Sequence, residues 1–139
     1  MKTYSLQDVH FTWGGVLYTG TVDDAISVEW NSELYTLQQG GDGRDATRSR
    51  NNDDSAKVTL KLKHGSAMND LLSAAVEEDR FGAGVKPFQL KDNLGSTLLI
   101  APRMWISARP KVDMAREAGE REWVFTTDSL TGNVGGLTP

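Results

Sequence analysis

Apolar and polar residues alternate in DVHFTW, with Val9, Phe11 and Trp13 set against Asp8, His10 and Thr12. A period of two predicts a half-buried strand. The Gly14-Gly15 pair predicts a hairpin turn into a second short strand, VLYTG. Asp23-Asp24 predicts a further turn. AISVEWNSELYTL then predicts a long strand, with Ile26, Val28 and Trp30 on one face and Ser27, Glu29, Asn31 and Glu33 on the other. Its apolar parity changes between Leu34 and Tyr35, which predicts a bulge or kink near Asn31–Leu34. In KVTLKLK, Val58, Leu60 and Leu62 alternate with Lys57, Thr59, Lys61 and Lys63. Paired as a long hairpin, these two strands would share one apolar face and set Glu29 and Glu33 near the lysines. Each such opposite-charge pair contributes about 0.2–1 kcal/mol.

The period then changes. In SAMNDLLSAAVEED, Met68, Leu71, Leu72, Ala75 and Val76 form one stripe at helical spacing, predicting a helix that lies on the sheet. Ser66 is the predicted N-cap, and Asp70 in the first turn suits the helix dipole. Glu77, Glu78 and Asp79 crowd the C-terminal end, where the dipole disfavours negative charge. KPFQLKD and STLLIAPRMWISA, joined by NLG, predict another hairpin. Pro102 predicts an edge, bulge or break there. PKVDMAREAGE reads as a loop or short helix. REWVFTTD reads as the last strand, with Trp123 and Phe125 on one face and Glu122, Val124 and Thr126 on the other. One helix among about seven strands defines a mainly β domain, a barrel or sandwich with a flanking α-helix.

Composition narrows the function classes. A chain of 139 residues fits a single domain, here 1–139, with a long polar connection at 38–55 and an extended Gly-rich tail at 129–139. The net charge of -4 argues against a nucleic-acid clamp, which needs a basic stripe. There are no cysteines, so disulfides and thiolate metal sites are excluded, which fits a reducing compartment or one indifferent to redox. MKTYSLQDVHF has no apolar core, so no signal peptide is predicted, and no run approaches the length of a membrane span.

Catalytic and ligand-binding chemistry finds little support. Gly15 and Gly20 stand at the Walker spacing, but Thr21 occupies the place of the phosphate-binding lysine. His10 and His64 have no partners at metal-ligand spacing. DGRDATRSRNND lacks the register and closing glutamate of a calcium loop. Glu29/Glu33 and Glu77/Glu78 have no cleft to act across, and no nucleophile-elbow motif is present. Trp13, Trp30, Trp105 and Trp123 read as core or subunit interface; only PRMWISARPK interleaves an aromatic with cations as single-strand binding requires. No cofactor is predicted, and no enzyme.

The stretch GGDGRDATRSRNND, Gly40 to Asp53, is the anomaly: three Asp, three Arg and almost nothing apolar, between two clean strands. A polar connection beyond about twelve residues is usually disordered or functional. The functional reading is assembly: Arg44, Arg48 and Arg50 offer forked donors, and Asp42, Asp45 and Asp53 accept them. A self-complementary element of this kind suits head-to-tail stacking of identical subunits.

The order KTYSLQDV, GG, a long strand, GGDGRDATRSRNNDDSAKVTLKL and the SAMNDLLS helix resembles the tail tube proteins of contractile-tailed bacteriophages and prophages. The similarity covers most of the chain and is clearest from Lys2 to Leu72. The resemblance implies a tail-tube-type β-barrel or sandwich with one flanking α-helix. It implies self-assembly into hexameric rings that stack into the inner tail tube of the virion, assembled in the host cytoplasm. Two hairpins per subunit would join edge to edge into an inner barrel, Ser27–Glu33 with Lys57–Lys63 in one and Lys86–Ala108 in the other. Partners would be further copies of the chain, with sheath, tape measure and baseplate proteins and no membrane. The loop with Asp42, Arg44, Asp45, Arg48, Arg50 and Asp53 would reach the neighbouring ring. DNA would cross the lumen during ejection without specific binding, so a negative lining is expected, with Glu29, Glu33, Glu120 and Glu122 as candidates. The lysines of KVTLKLK oppose that unless cross-strand glutamates neutralise them. Alternative readings are the tube of a bacteriocin or type VI-like secretion system, another tail or baseplate structural protein such as a terminator, and a monomeric ligand-binding β-sandwich.

Overall fold

The computed structural model describes residues 4–18, 21–117 and 119–136, with side chains of 21–25 left aside. Among them are ten strands and one α-helix. In chain order the strands are β1 (Val9–Trp13), β2 (Val16–Tyr18), β3 (Thr21–Trp30), β4 (Tyr35–Gln39), β5 (Ala46–Arg50) and β6 (Ala56–Lys63). After helix α1 (Met68–Asp79) come β7 (Lys86–Asp92), β8 (Leu98–Ala108), β9 (Glu120–Thr127) and β10 (Thr131–Asn133).

Eight strands form one antiparallel sheet in the order β2-β1-β7-β8-β9-β6-β3, with β10 on β8. The alternation that predicts β1, β6 and β9 is the burial pattern itself. Phe11 and Trp13, then Val58, Leu60 and Leu62, then Trp123 and Phe125 all point into one core. Two strands, β7 and β8, separate β1 from β9, so in a flat sheet their side chains would stand about 14 Å apart. Instead the Phe125 ring lies 5.5 Å from Phe11 and 5.2 Å from Trp13. The sheet is therefore curled until its inner face meets itself. Its edge strands β2 and β3 are consecutive in the chain, and Tyr18 and Thr21 can be no more than about 11 Å apart. Among the described residues β2 and β3 are not paired, so the barrel is curled but open.

Several expectations are corrected. Asp23 and Asp24 do not form a turn but lie within β3, in an irregular stretch between the Thr21–Leu62 and Ile26–Leu60 pairs. Pairing to β6 overrides the local turn preference of two aspartates. The chain bends through Asn31–Leu34 as expected, but β3 ends at Trp30 and the chain restarts as β4 rather than continuing as one strand. Of the expected second strand, Thr19 and Gly20 lie outside the described residues. Pro102 occupies the predicted bulge, where β8 shifts register on β7 between the Met104–Lys86 and Ala101–Phe88 pairs. Residues 109–117 are a loop. The tail contains β10, paired with Leu98–Ile100, and Thr97 Oγ1 donates to the Gly135 carbonyl at 3.0 Å.

Helix α1 closes the core with Leu72 and Ala75, while Met68 and Val76 pack at its margin. Leu71, placed on the buried stripe by spacing, is exposed. The N-cap is Ala67, one residue past the expected Ser66, and it makes no side-chain capping bond, while the Ser66 hydroxyl accepts from the Met68 N–H at 3.3 Å. The carboxylates crowded at the helix end are compensated locally: Glu77 meets Arg80 at 3.1 Å and Glu78 meets Lys86 at 3.3 Å. Trp123 Nε1 ties the helix to the sheet by donating to Asn69 Oδ1 at 2.9 Å.

Candidate assembly interface

The polar stretch is not a structureless loop. β4 and β5 pair from Tyr35–Arg50 to Gln39–Ala46 as a separate two-stranded ribbon, every residue of it exposed. Alternation puts Tyr35, Leu37, Gln39, Ala46, Arg48 and Arg50 on one face, and Thr36, Gln38, Thr47 and Ser49 on the other. The Arg48 guanidinium lies 4.0 Å from the Tyr35 ring centroid, a cation–π contact that stiffens the first face.

The six residues expected to act together occupy three levels of this ribbon. Asp42, Arg44 and Asp45 form the tip. Gly43 turns there with a φ of 70°, and Asp42 Oδ1 accepts from the Arg44 N–H at 3.0 Å. Arg48 and Arg50 lie along the shaft. Asp53 belongs to the neck, where it accepts from the Ser32 hydroxyl at 2.7 Å and the Ser55 N–H at 3.0 Å. Those hydrogen bonds, Ser32's first and then Ser55's, hold its carboxyl below the usual carboxylate range. Asn31 Nδ2 completes the neck by donating to Ser55 Oγ at 3.1 Å. Behind it a hollow of about 460 Å³ is walled by Trp30, Leu34 and Leu130, and Trp30 Nε1 donates to the Leu130 carbonyl at 3.1 Å.

A second surface is the outer face of β3, β6 and β9. Glu29 stands opposite Lys57, Lys61 opposite Glu122, and Lys63 opposite Glu120. Three of the four expected acidic residues thus share one face, each in register with a lysine. Glu33 is not among them; it lies in the break between β3 and β4. The face is balanced in charge rather than acidic.

The ends of the molecule differ. The ribbon leaves the sheet beside Ala56 at the start of β6, whereas the 109–117 loop precedes Glu120, opposite Lys63 at the other end. Helix α1 starts near that end and runs back over the core, where its Glu78 reaches Lys86, a residue paired with Met104 at the level of Thr127 and Ala56. No cluster of three or more metal-binding side chains occurs among the described residues. His10 contacts Asn93, and His64 lies 3.4 Å from Arg121. The strand β5 leaves no apolar period in the chain and so is not expected from the sequence.

A curled antiparallel sheet with one flanking helix and a projecting ribbon is the tail-tube type of fold. The sheath/tube terminator of the extracellular contractile injection system PVC matches it with a TM-score of 0.65, at 10% identity, covering 96% of this chain and 99% of that one. The tail of an empty gene transfer agent particle, determined with C6 symmetry, matches with a TM-score of 0.57 at 13% identity, covering 99% and 100%. Structural protein ORF10 of Pseudomonas phage KPP10 is 30% identical over 122 residues, spanning 85% of this chain and 70% of that protein. The chain belongs to the family of that phage structural protein, and it is a structural protein rather than an enzyme. No protein-family model matches it.

Proposed function

We propose that the chain is a tail tube subunit, assembling into stacked hexameric rings that form the channel for phage DNA. The observation that carries this reading is the polarity of the molecule along β6. A ribbon projects from one end and the 109–117 loop, with the start of α1, lies at the other, so identical copies can contact head to tail and continue without closing. The edges of β2 and β3, unpaired among the described residues, supply a second, lateral kind of contact; left open they would be a liability for a monomer. The C6 symmetry of the gene transfer agent tail supports a hexameric ring. On this reading the subunit resides in the virion tail after assembly in the host cytoplasm, with sheath, tape measure and baseplate proteins as neighbours.

The charge ladder of Glu29, Glu120 and Glu122 with Lys57, Lys61 and Lys63 is then the candidate lumen lining. Neutralised lysines offer phosphates no cationic patch to adsorb on. Electron microscopy of the protein, alone and with the other tail proteins, tests the reading: rings and long hollow tubes are expected. A dispersed monomer under both conditions overturns it.

The terminator-like neighbour favours a second reading, in which one ring caps the tube. A terminator yields single rings that never polymerise, so the same images separate the two.

A further inference from the structure

If copies stack head to tail, the ribbon needs a receptor at the opposite end of the next copy. A groove along α1 reaches that end, where Asn69, Val112 and Arg121 line it. Asn69, Ser73, Val76 and Arg80, spaced along one face of α1, form one wall; residues 106–110 and Val112 form the other. Its two hollows, of about 310 and 380 Å³, meet at Arg109, which lines both. From Asn69 to Arg80 the wall runs about 16 Å. A two-stranded ribbon tip, with strands about 4.8 Å apart, is of the right scale to enter it. Gly40, Gly41 and Gly43 keep that tip thin, and space is open around Gly41 and Gly43.

The charges are complementary. Arg109 and Arg121 line the groove, with Arg80, which also meets Glu77, and Asp79 as its one lining carboxylate, while the tip carries Asp42 and Asp45 with Arg44 as its one cation. The ribbon projects about 17 Å from its neck, far enough to cross an interface and reach into a neighbour.

We propose that the Gly40–Asp45 tip of one copy seats in the groove between α1 and residues 106–112 of the next. Asp42 and Asp45 then meet Arg109 and its neighbouring guanidiniums, and Arg44 meets Asp79. The proposal rests on the reading of the chain as a stacking subunit and names the surface that receives the ribbon.

The chain has no cysteine, so cross-linking reports the contact without background. Asp42→Cys with Ser73→Cys, assembled and treated with a short bismaleimide, is expected to give a ladder of covalent multimers. Asp42→Cys with Lys91→Cys, at the wrong end of the sheet, is the control. Arg109→Glu, an exposed change that leaves the fold intact, is expected to form rings and lower tube yield at least about tenfold. Assembled tubes without a ladder, a ladder from the control pair, or normal tube yield from Arg109→Glu overturns the docking site while leaving the tube reading standing. Failure of the unaltered chain to assemble with its tail proteins overturns both.

Discussion

Trp13 Nε1 donates to the carbonyl oxygen of Met104 at 3.0 Å, joining β1 to β8 across the intervening strand β7. Both residues are fully buried, and the bond falls where Pro102 shifts the register of β8. It anchors the bulge from inside the curled sheet. Trp13→Phe removes the donor, leaves a buried carbonyl short of a partner and opens a small void. The expected loss is about 1–3 kcal/mol, read as a lower denaturant midpoint at unchanged slope. Trp13→Ala should lose more, about 3–5 kcal/mol.

Tyr18 supplies a pH dependence. Burial at the core pushes its phenol up to about 12, against an ordinary value of 10.0. The folded state therefore keeps a proton that the unfolded chain releases first. Stability from this group is intact below about pH 10 and is lost as pH rises toward 12. Tyr18→Phe keeps the edge-on ring contact with Phe11, whose centroids lie 5.9 Å apart. Its alkaline unfolding should be shallower over that range, as measured by denaturant titration at fixed pH.

What could be read from the sequence follows burial closely. β1, β6 and β9 each have one face in the core, and their apolar residues fall on alternate positions as a consequence. ATRSR has no buried face, so β5 carries no period; it is a strand because β4 pairs with it. TGN in β10 is silent for the same reason, its Gly132 lying against Leu98 where no Cβ fits. Leu71 fails in the opposite sense: helical spacing places it with Leu72, yet it is exposed while Leu72 and Ala75 enter the core. Glu29, Glu120 and Glu122 could be named as one acidic set, but their pairing with lysines depends on strand register, which local composition does not encode.

That register makes the ladder testable. Glu122→Lys places Lys61 opposite a like charge, with an expected cost of about 0.2–1 kcal/mol at low salt. The cost should shrink at 1 M salt, where screening acts within about 3 Å. The double change Lys61→Glu with Glu122→Lys restores opposite charges and should recover most of the loss. If this face lines the channel, Glu120→Lys with Glu122→Lys should leave tube length unchanged and slow DNA release, measured by ejection kinetics. Unaltered release from such tubes would place the face elsewhere.

The ribbon gives the last prediction. A two-stranded hairpin alone is marginally stable in water, and β4–β5 has no core beneath it. Its internal support is the Arg48–Tyr35 contact and the Asp53 neck. In the free subunit its amides should exchange with solvent orders of magnitude faster than those of β6 and β9, which are buried and paired on both sides. In assembled tubes the same amides should become protected, because contact with a neighbour offsets the cost of ordering. Deleting residues 44–50 should leave β6 and β9 as protected as before while abolishing stacking. Rapid exchange that persists in the tube, or tubes built from the deletion variant, would remove the ribbon from the interface.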